Sequence, residues 1–197
     1  MAIFYLIRHG NNDLLGEKLA GRLPGVHLNQ AGREQAERLA QALGDKPIKA
    51  VYASPLERTL ETAQPIAAVH HLEVQNSPAL LEIDFGDWSG QTFEALIKES
   101  LWQQVQEHPS SVRFPNGESF EEAQARAVEE ITRLSEVYQQ EDVIICVSHC
   151  DVIRLIIAHF LGMPLDTFQR LRVSPASLSV LHLFDGKAIV EMVNHKV

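Results

Sequence analysis

Cysteine is nearly missing from this chain: 197 residues hold two, Cys146 and Cys150. That excludes a disulfide framework, and a reducing cytoplasm is the simplest setting. Long apolar runs are missing too. Ala2–Ile7 is too short for the core of a signal peptide or for a membrane span, and no other run qualifies. Surplus positive charge is absent, with 17 Lys and Arg against 26 Asp and Glu, a formal net charge of −9. Such a balance argues against a general nucleic-acid or anionic-membrane partner, though a pocket can still be locally positive for a small anion. Repeats, low-complexity tracts and linkers are also lacking, as is any acidic cluster of the kind that holds Mg²⁺.

What is present is the composition of an ordinary globular protein, 45% apolar and 22% charged, long enough to bury a core as one domain over residues 1–197. Strand-like runs fall at Ala2–Ile7, Ala50–Ala53, Val143–Val147, Leu178–Leu183 and Ile189–Val193. Helical spacing fills the intervals. Asn29 is an N-cap for a helix buried through Ala36, Leu39, Ala40 and Leu43. Ser54 and Pro55 read as N-cap and first position of the next helix, which Pro65 is expected to bend or interrupt. Ser119 and Glu122 stand in capping-box register ahead of a stripe of Val128, Ile131, Leu134 and Tyr138. A last, mostly apolar helix follows Asp151 and ends at Gly162 and Pro164. The pattern predicts an α/β layer fold with a mostly parallel sheet, closed by a hairpin at "FDGK". Residues 76–118 are less regular and read as an excursion over one face of the sheet.

Four polar clusters share one address, the end of an apolar run, where open α/β sheets bind ligands. They are Arg8-His9, Ser54 to Arg58, Ser148-His149, and Glu82. Singly, each is explained as an edge charge, a helix terminus or a surface acid. Together they suit a phosphate ester. Two arginines give rigid bidentate donors, one histidine a nucleophile, the other a donor to the transferring group, and a carboxylic acid the proton for the leaving oxygen. Neither metal nor cofactor is required.

The stretches "LIRHG", "VYASPLERTLETA", "LLEIDFGDWSG", "FPNGESFEEAQAR" and "VSHCDVIRLIIAHFLGMPLDTF" occur in an order that resembles the histidine phosphatase superfamily, branch 1, which includes the cofactor-dependent phosphoglycerate mutases. The resemblance covers nearly the whole chain. It implies a three-layer α/β/α sandwich, a phosphohistidine on His9, a phosphate pocket of Arg8, Arg58 and His149, and Glu82 as proton donor, with the excursion lying over the active site. Two departures stand out. Where the family carries an amide six places after the histidine there is Leu15, so a phosphate-contacting amide is missing unless Asn11 or Asn12 takes over its donor role. His149 is followed by Cys150 rather than Gly, which reads as a tolerated substitution; a metal site from Cys146, His149 and Cys150 is disfavoured because they straddle a strand end.

The lack of mutase-type inserted segments favours hydrolysis of a small organic phosphate. Arg22, in "AGRLPGVHLN", is a candidate second anion contact. Phe85, Trp88, Phe93 and Trp102 are expected either to line an apolar lid or to form the excursion's own core. The alternatives are a phosphomutase and a weakly active phosphate-binding regulatory protein. Oligomeric state is not legible.

Overall fold

A computed structural model describes residues 2–184 and 187–196. Its centre is a six-stranded mixed sheet in the order β3-β2-β4-β1-β5-β6. The strands are β1 (Ala2–Arg8), β2 (Ile48–Ala53), β3 (Val74–Asn76), β4 (Val143–Ser148), β5 (Ser177–Phe184) and β6 (Lys187–Lys196). The pairings among β1, β2, β3 and β4 are parallel, whereas β5 runs antiparallel to both of its neighbours. Every residue of the central β4 is buried, the expected result for an apolar strand covered on both faces.

The layers follow from alternation along β1. Phe4 and Leu6 join a core under α5 (Phe120–Val137) and α6 (Cys150–Phe160) that includes Ala127, Ile131, Ile153 and Ile157. Ile7 faces the opposite way, into a second core under α1 (Gln30–Leu43) and α2 (Glu57–Val69) with Leu39, Leu43, Ala63 and Ile66. The three-layer α/β/α expectation is therefore met. Among the described residues no helix is long and apolar enough to cross a membrane.

Local signals were largely reliable. Asn29 caps α1 by accepting from Gly32 N, and the Ser119–Glu122 capping box is complete. Three readings change. The N-cap of α2 is Leu56, not Ser54, because the Ser54 hydroxyl is bound to His149 instead. Pro65 lies inside an unbroken α2: it removes one hydrogen bond, but burial of Ala63, Ile66 and Ala67 on either side holds the helix to the sheet. The buried stripe of α5 runs through Ala123, Ala127, Ile131 and Leu134, with Val128 only half-buried and Tyr138 half-buried just past the helix end. β5 and β6 pair antiparallel as a hairpin requires, but Asp185 and Gly186 of "FDGK" lie outside the described residues.

The excursion contains 3₁₀ turns and two short helices, α3 (Phe93–Leu96) and α4 (Trp102–Glu107). Two glycines tie it down. Gly86 has φ +51°, and a Cβ there would lie 1.9 Å from the Pro115 carbonyl oxygen; a Cβ on Gly117 would lie 2.3 Å from that of Asp84. Only glycine fits where these two backbones meet.

Candidate active site

Strand register assembles the site. Arg8 is level with Ser148 across the β1–β4 pair, and Ala53 is level with Val147 across β2–β4. The residues that follow, His9, Ser54 and His149, therefore emerge side by side at the carboxyl edge. Backbone bonds hold them there, from His9 N to the Ser148 carbonyl at 3.0 Å and from Ser54 N to that of Val147 at 3.0 Å. Gly10 continues the turn against α1, where a Cβ would meet the Gly32 carbonyl at 2.7 Å.

The hydrogen bonds settle which nitrogens of the two histidines are free. His9 Nδ1 lies 2.8 Å from the Gly10 carbonyl, which can only accept. Nδ1 therefore carries the proton and Nε2 keeps its lone pair. Burial, then the positive charges of Arg58 and Arg8, hold His9 well below the usual histidine pKa. His149 has the opposite tautomer. Its Nδ1 accepts from Arg58 Nη2 at 3.2 Å, and its Nε2–H donates to Ser54 Oγ at 2.8 Å. Burial and Arg58 keep it neutral as well. The rings meet edge to face with centroids 5.3 Å apart.

Arg58 is 1% exposed. Its Nη2 also donates to the Gly21 carbonyl at 2.7 Å, and Arg8 Nη1 donates to that of Val173 at 2.7 Å. Arg8 Nε, Arg58 Nε and Arg58 Nη1 are buried with no hydrogen-bond partner. Orphaned donors of this kind are costly, so three around one histidine define a cradle for an anion.

Glu82 does not stand at a strand end. It follows β3 and a 3₁₀ turn, Pro78–Leu80, which Ser148 Oγ anchors by donating to the Leu80 carbonyl at 2.8 Å. Its Oε2 reaches within 4.0 Å of His149 Nδ1, and Oε1 accepts from Ile83 N. Burial, then the negative charge of Asp151, push its pKa up to about 7 against the opposing pull of Arg58 and Arg8. A clamp fixes its backbone: the Glu82 carbonyl accepts from Arg22 Nε and Arg126 Nη2, and the Glu118 carboxylate accepts from both arginines and from Asp84 N.

A cavity of about 450 Å³ opens over these groups, lined among others by Arg8, His9, Asn12, Arg58 and Glu82. Asn12 is the usable amide. Its Oδ1 accepts from Leu14 N, which leaves the NH₂ group as donor to the cavity. Asn11 lies elsewhere, lining a separate hollow with Gln35 and Arg38, and Arg22 is spent on Glu118, Glu82 and Asp84 rather than on a ligand. Leu15 is 40% exposed at the cavity edge. Phe85, Phe93 and Trp102 line the cavity, while Trp88 is buried against Trp102 and Phe114, so the aromatics divide between both expected roles. The Cys150 thiol donates weakly to the Val173 carbonyl, and burial pushes its pKa to about 12, far from a reactive thiolate.

Sequence reasoning missed the supporting partners. Ser54 reads as a cap, Thr62 as a helix residue that in fact accepts from Gly10 N at 3.0 Å, and Glu118, Arg126 and Arg154 lie inside family-like stretches with no role assigned to them.

An α/β sandwich with paired histidines and arginines at the carboxyl edge of its sheet defines a site built for phosphoryl groups. Residues 4–196 match the family model for the histidine phosphatase superfamily (branch 1), and the chain belongs to that family. It is 30% identical to phosphoserine phosphatase 1 of Hydrogenobacter thermophilus, over 98% of this chain and 92% of the relative. Identity is also 30% to the adenosylcobalamin/alpha-ribazole phosphatase of Escherichia coli, over 98% and 95%. The solved structure of YhfR from Bacillus stearothermophilus superposes with a TM-score of 0.92 at 25% identity, covering 100% of this chain and 98% of that one.

Proposed function

We propose that the chain is a phosphomonoester hydrolase that passes the phosphoryl group through His9 to water. The observation that carries this reading is the set of buried, unpartnered guanidinium N–H groups of Arg8 and Arg58 around a neutral His9. A phosphate dianion satisfies those donors, and its charge is balanced by the two guanidiniums without a metal. Nε2 of His9 attacks phosphorus in line with the ester oxygen. As that P–O bond breaks, protonated Glu82 gives its proton to the leaving oxygen. Water then attacks the phosphohistidine, Glu82 now taking the water proton, and inorganic phosphate departs. Asn12 completes the cradle, and neutral His149 holds Arg58 in place by accepting from its Nη2 through Nδ1. Hydrolysis is favoured over phosphoryl return to a sugar acid by the relatives, two phosphatases matched along more than nine-tenths of their length. Their named substrates differ, so neither transfers to this chain. The substrate is a small organic phosphate ester, and the free thiols of Cys146 and Cys150 suit a reducing compartment.

The test is turnover of p-nitrophenyl phosphate and a panel of natural esters by wild type and His9→Gln in the presence of EDTA. Wild type should release phosphate and the variant should lose at least about a thousandfold. Full activity in His9→Gln, or conversion of 3-phosphoglycerate to 2-phosphoglycerate faster than phosphate appears, overturns the reading.

A further inference from the structure

The hollow that Asn11 lines has a volume of about 240 Å³ and is walled by Gln35 and Arg38 of α1, by Ser174 ahead of β5 and by Lys196 at the end of β6. A more open hollow adjoins it. Ser174 and Lys196 line both, and Arg172 and His195 belong to the second. Neither shares a lining residue with the active-site cavity.

The charge here is one-sided. The chain carries 26 Asp and Glu against 17 Lys and Arg, yet no acid lines either hollow. Arg22, Arg113, Arg126, Arg133 and Arg154 are each paired with a carboxylate. Among the described residues Arg38, Arg172 and Lys196 have no such partner, and three cations stand around two joined spaces. Neutral donors add to them. Gln35 Oε1 accepts from Asn11 N at 2.8 Å, which leaves the Gln35 NH₂ group as a donor to the hollow. The wall itself is fixed, since Ser174 N donates to Asn194 Oδ1 at 2.6 Å. Ala176, also in the wall, has φ +52°, a conformation that a Cβ disfavours, and its N–H is held by the carbonyls of Arg8 and His9. A single exposed charge contact is weak and screened by salt, so this arrangement selects for a ligand that meets several cations at once.

We propose that the two hollows form a second anion site, separate from the phosphoryl cradle, for a small polyanion with at least two phosphate or carboxylate groups. One group lies between Arg38 and Lys196 and the next between Lys196 and Arg172. The site does not depend on the phosphatase reading.

The probes are tripolyphosphate and citrate, titrated at low salt into isotope-labelled protein and followed through the backbone amide signals. In wild type the signals of Gln35, Ser174 and Lys196 should move and saturate. A response to one probe alone narrows the class to phosphates or to carboxylates. The double variant Arg38→Gln/Lys196→Gln changes two exposed positions and should weaken binding by about tenfold or more, as loss of two exposed charge contacts implies. Its turnover of p-nitrophenyl phosphate should match wild type, because neither residue lines the active-site cavity. Arg58→Ala, which strips charge from the phosphoryl cradle, should leave the shifts at Ser174 and Lys196 in place. Shifts confined to the amides around His9, a drift that never saturates, or equal affinity in the double variant overturns the site. Absence of ester hydrolysis in wild type would overturn the phosphatase reading and leave this site standing.

Discussion

His9 and His149 lie in edge-to-face contact, yet one keeps a lone pair on Nε2 and the other on Nδ1, because each has a different fixed neighbour. Glu82 is their counterpart, a carboxylic acid held protonated near neutrality by burial and by Asp151. If it is the proton donor, kcat/KM falls as pH rises through about 7. Asp151→Asn removes a charge that raises Glu82, so the alkaline limb of the pH–rate profile should move to lower pH, by up to about one unit. An unmoved limb would mean another group titrates there. Stability follows with its own sign. The folded-state pKa of Glu82 is raised, so its contribution is fully present below its ordinary value of 4.5 and is lost as pH rises through about 7. Glu82→Gln should abolish turnover and yet be more stable than wild type at pH ~8 by about 1–3 kcal/mol in urea titrations. The buried histidines act oppositely, their folded pKa values being depressed, so they withdraw stability as pH falls below 6.5.

At the level of elements, the loop carrying Glu82 is shaped from a distance. Arg22 precedes it by 60 residues, Glu118 follows it at the far end of the excursion, and Arg126 reaches it from α5. Glu118 joins the two arginines, so Glu118→Gln loosens the loop without touching substrate. The expected result is a stability loss of about 2 kcal/mol from weakened charge-assisted bonds. A fall in kcat of about tenfold should accompany it as Glu82 loses its position, with KM little changed. Ser119→Ala makes the contrast one residue away: loss of the capping box costs about 1 kcal/mol and leaves kcat alone. Thermal melts and steady-state kinetics on both variants separate a positioning clamp from a plain helix cap. The capping box was legible because its partners are three residues apart on one helix, whereas the clamp was not, since its members meet only after the excursion folds over the sheet.

For the whole molecule, the unpartnered arginine donors are a cost of the fold that a ligand repays. Inorganic phosphate should stabilise the wild-type protein, by about 2.7 kcal/mol at roughly 100 times its Kd. For a chain of this size that is a rise in Tm of about 5–10 °C. Arg58→Ala should abolish the shift, and an equal shift in that variant would place the bound anion elsewhere. The negative net charge of the chain is no obstacle, because four cations, Arg8, Lys18, Arg58 and Arg154, line the active-site cavity.

Taken alone, the sequence determined what depends on neighbours along the chain. The periodicity of its strands and helices dictated the layered sheet, the caps at Asn29 and Ser119 placed two helix starts, and the ordered motifs singled out Arg8, His9, Arg58, Glu82 and His149. Tertiary structure decided what depends on contacts between distant segments. It took Ser54 from a helix cap to hold His149, turned Arg22 away from the ligand to brace Glu82, and chose Asn12 over Asn11 for the cavity. It also brought Arg154 to the cavity wall, a residue to which the sequence had assigned no role. The physical reason is common to these cases: a polar side chain goes to the partner that satisfies it when water is excluded, and that partner is known only once the chain has folded.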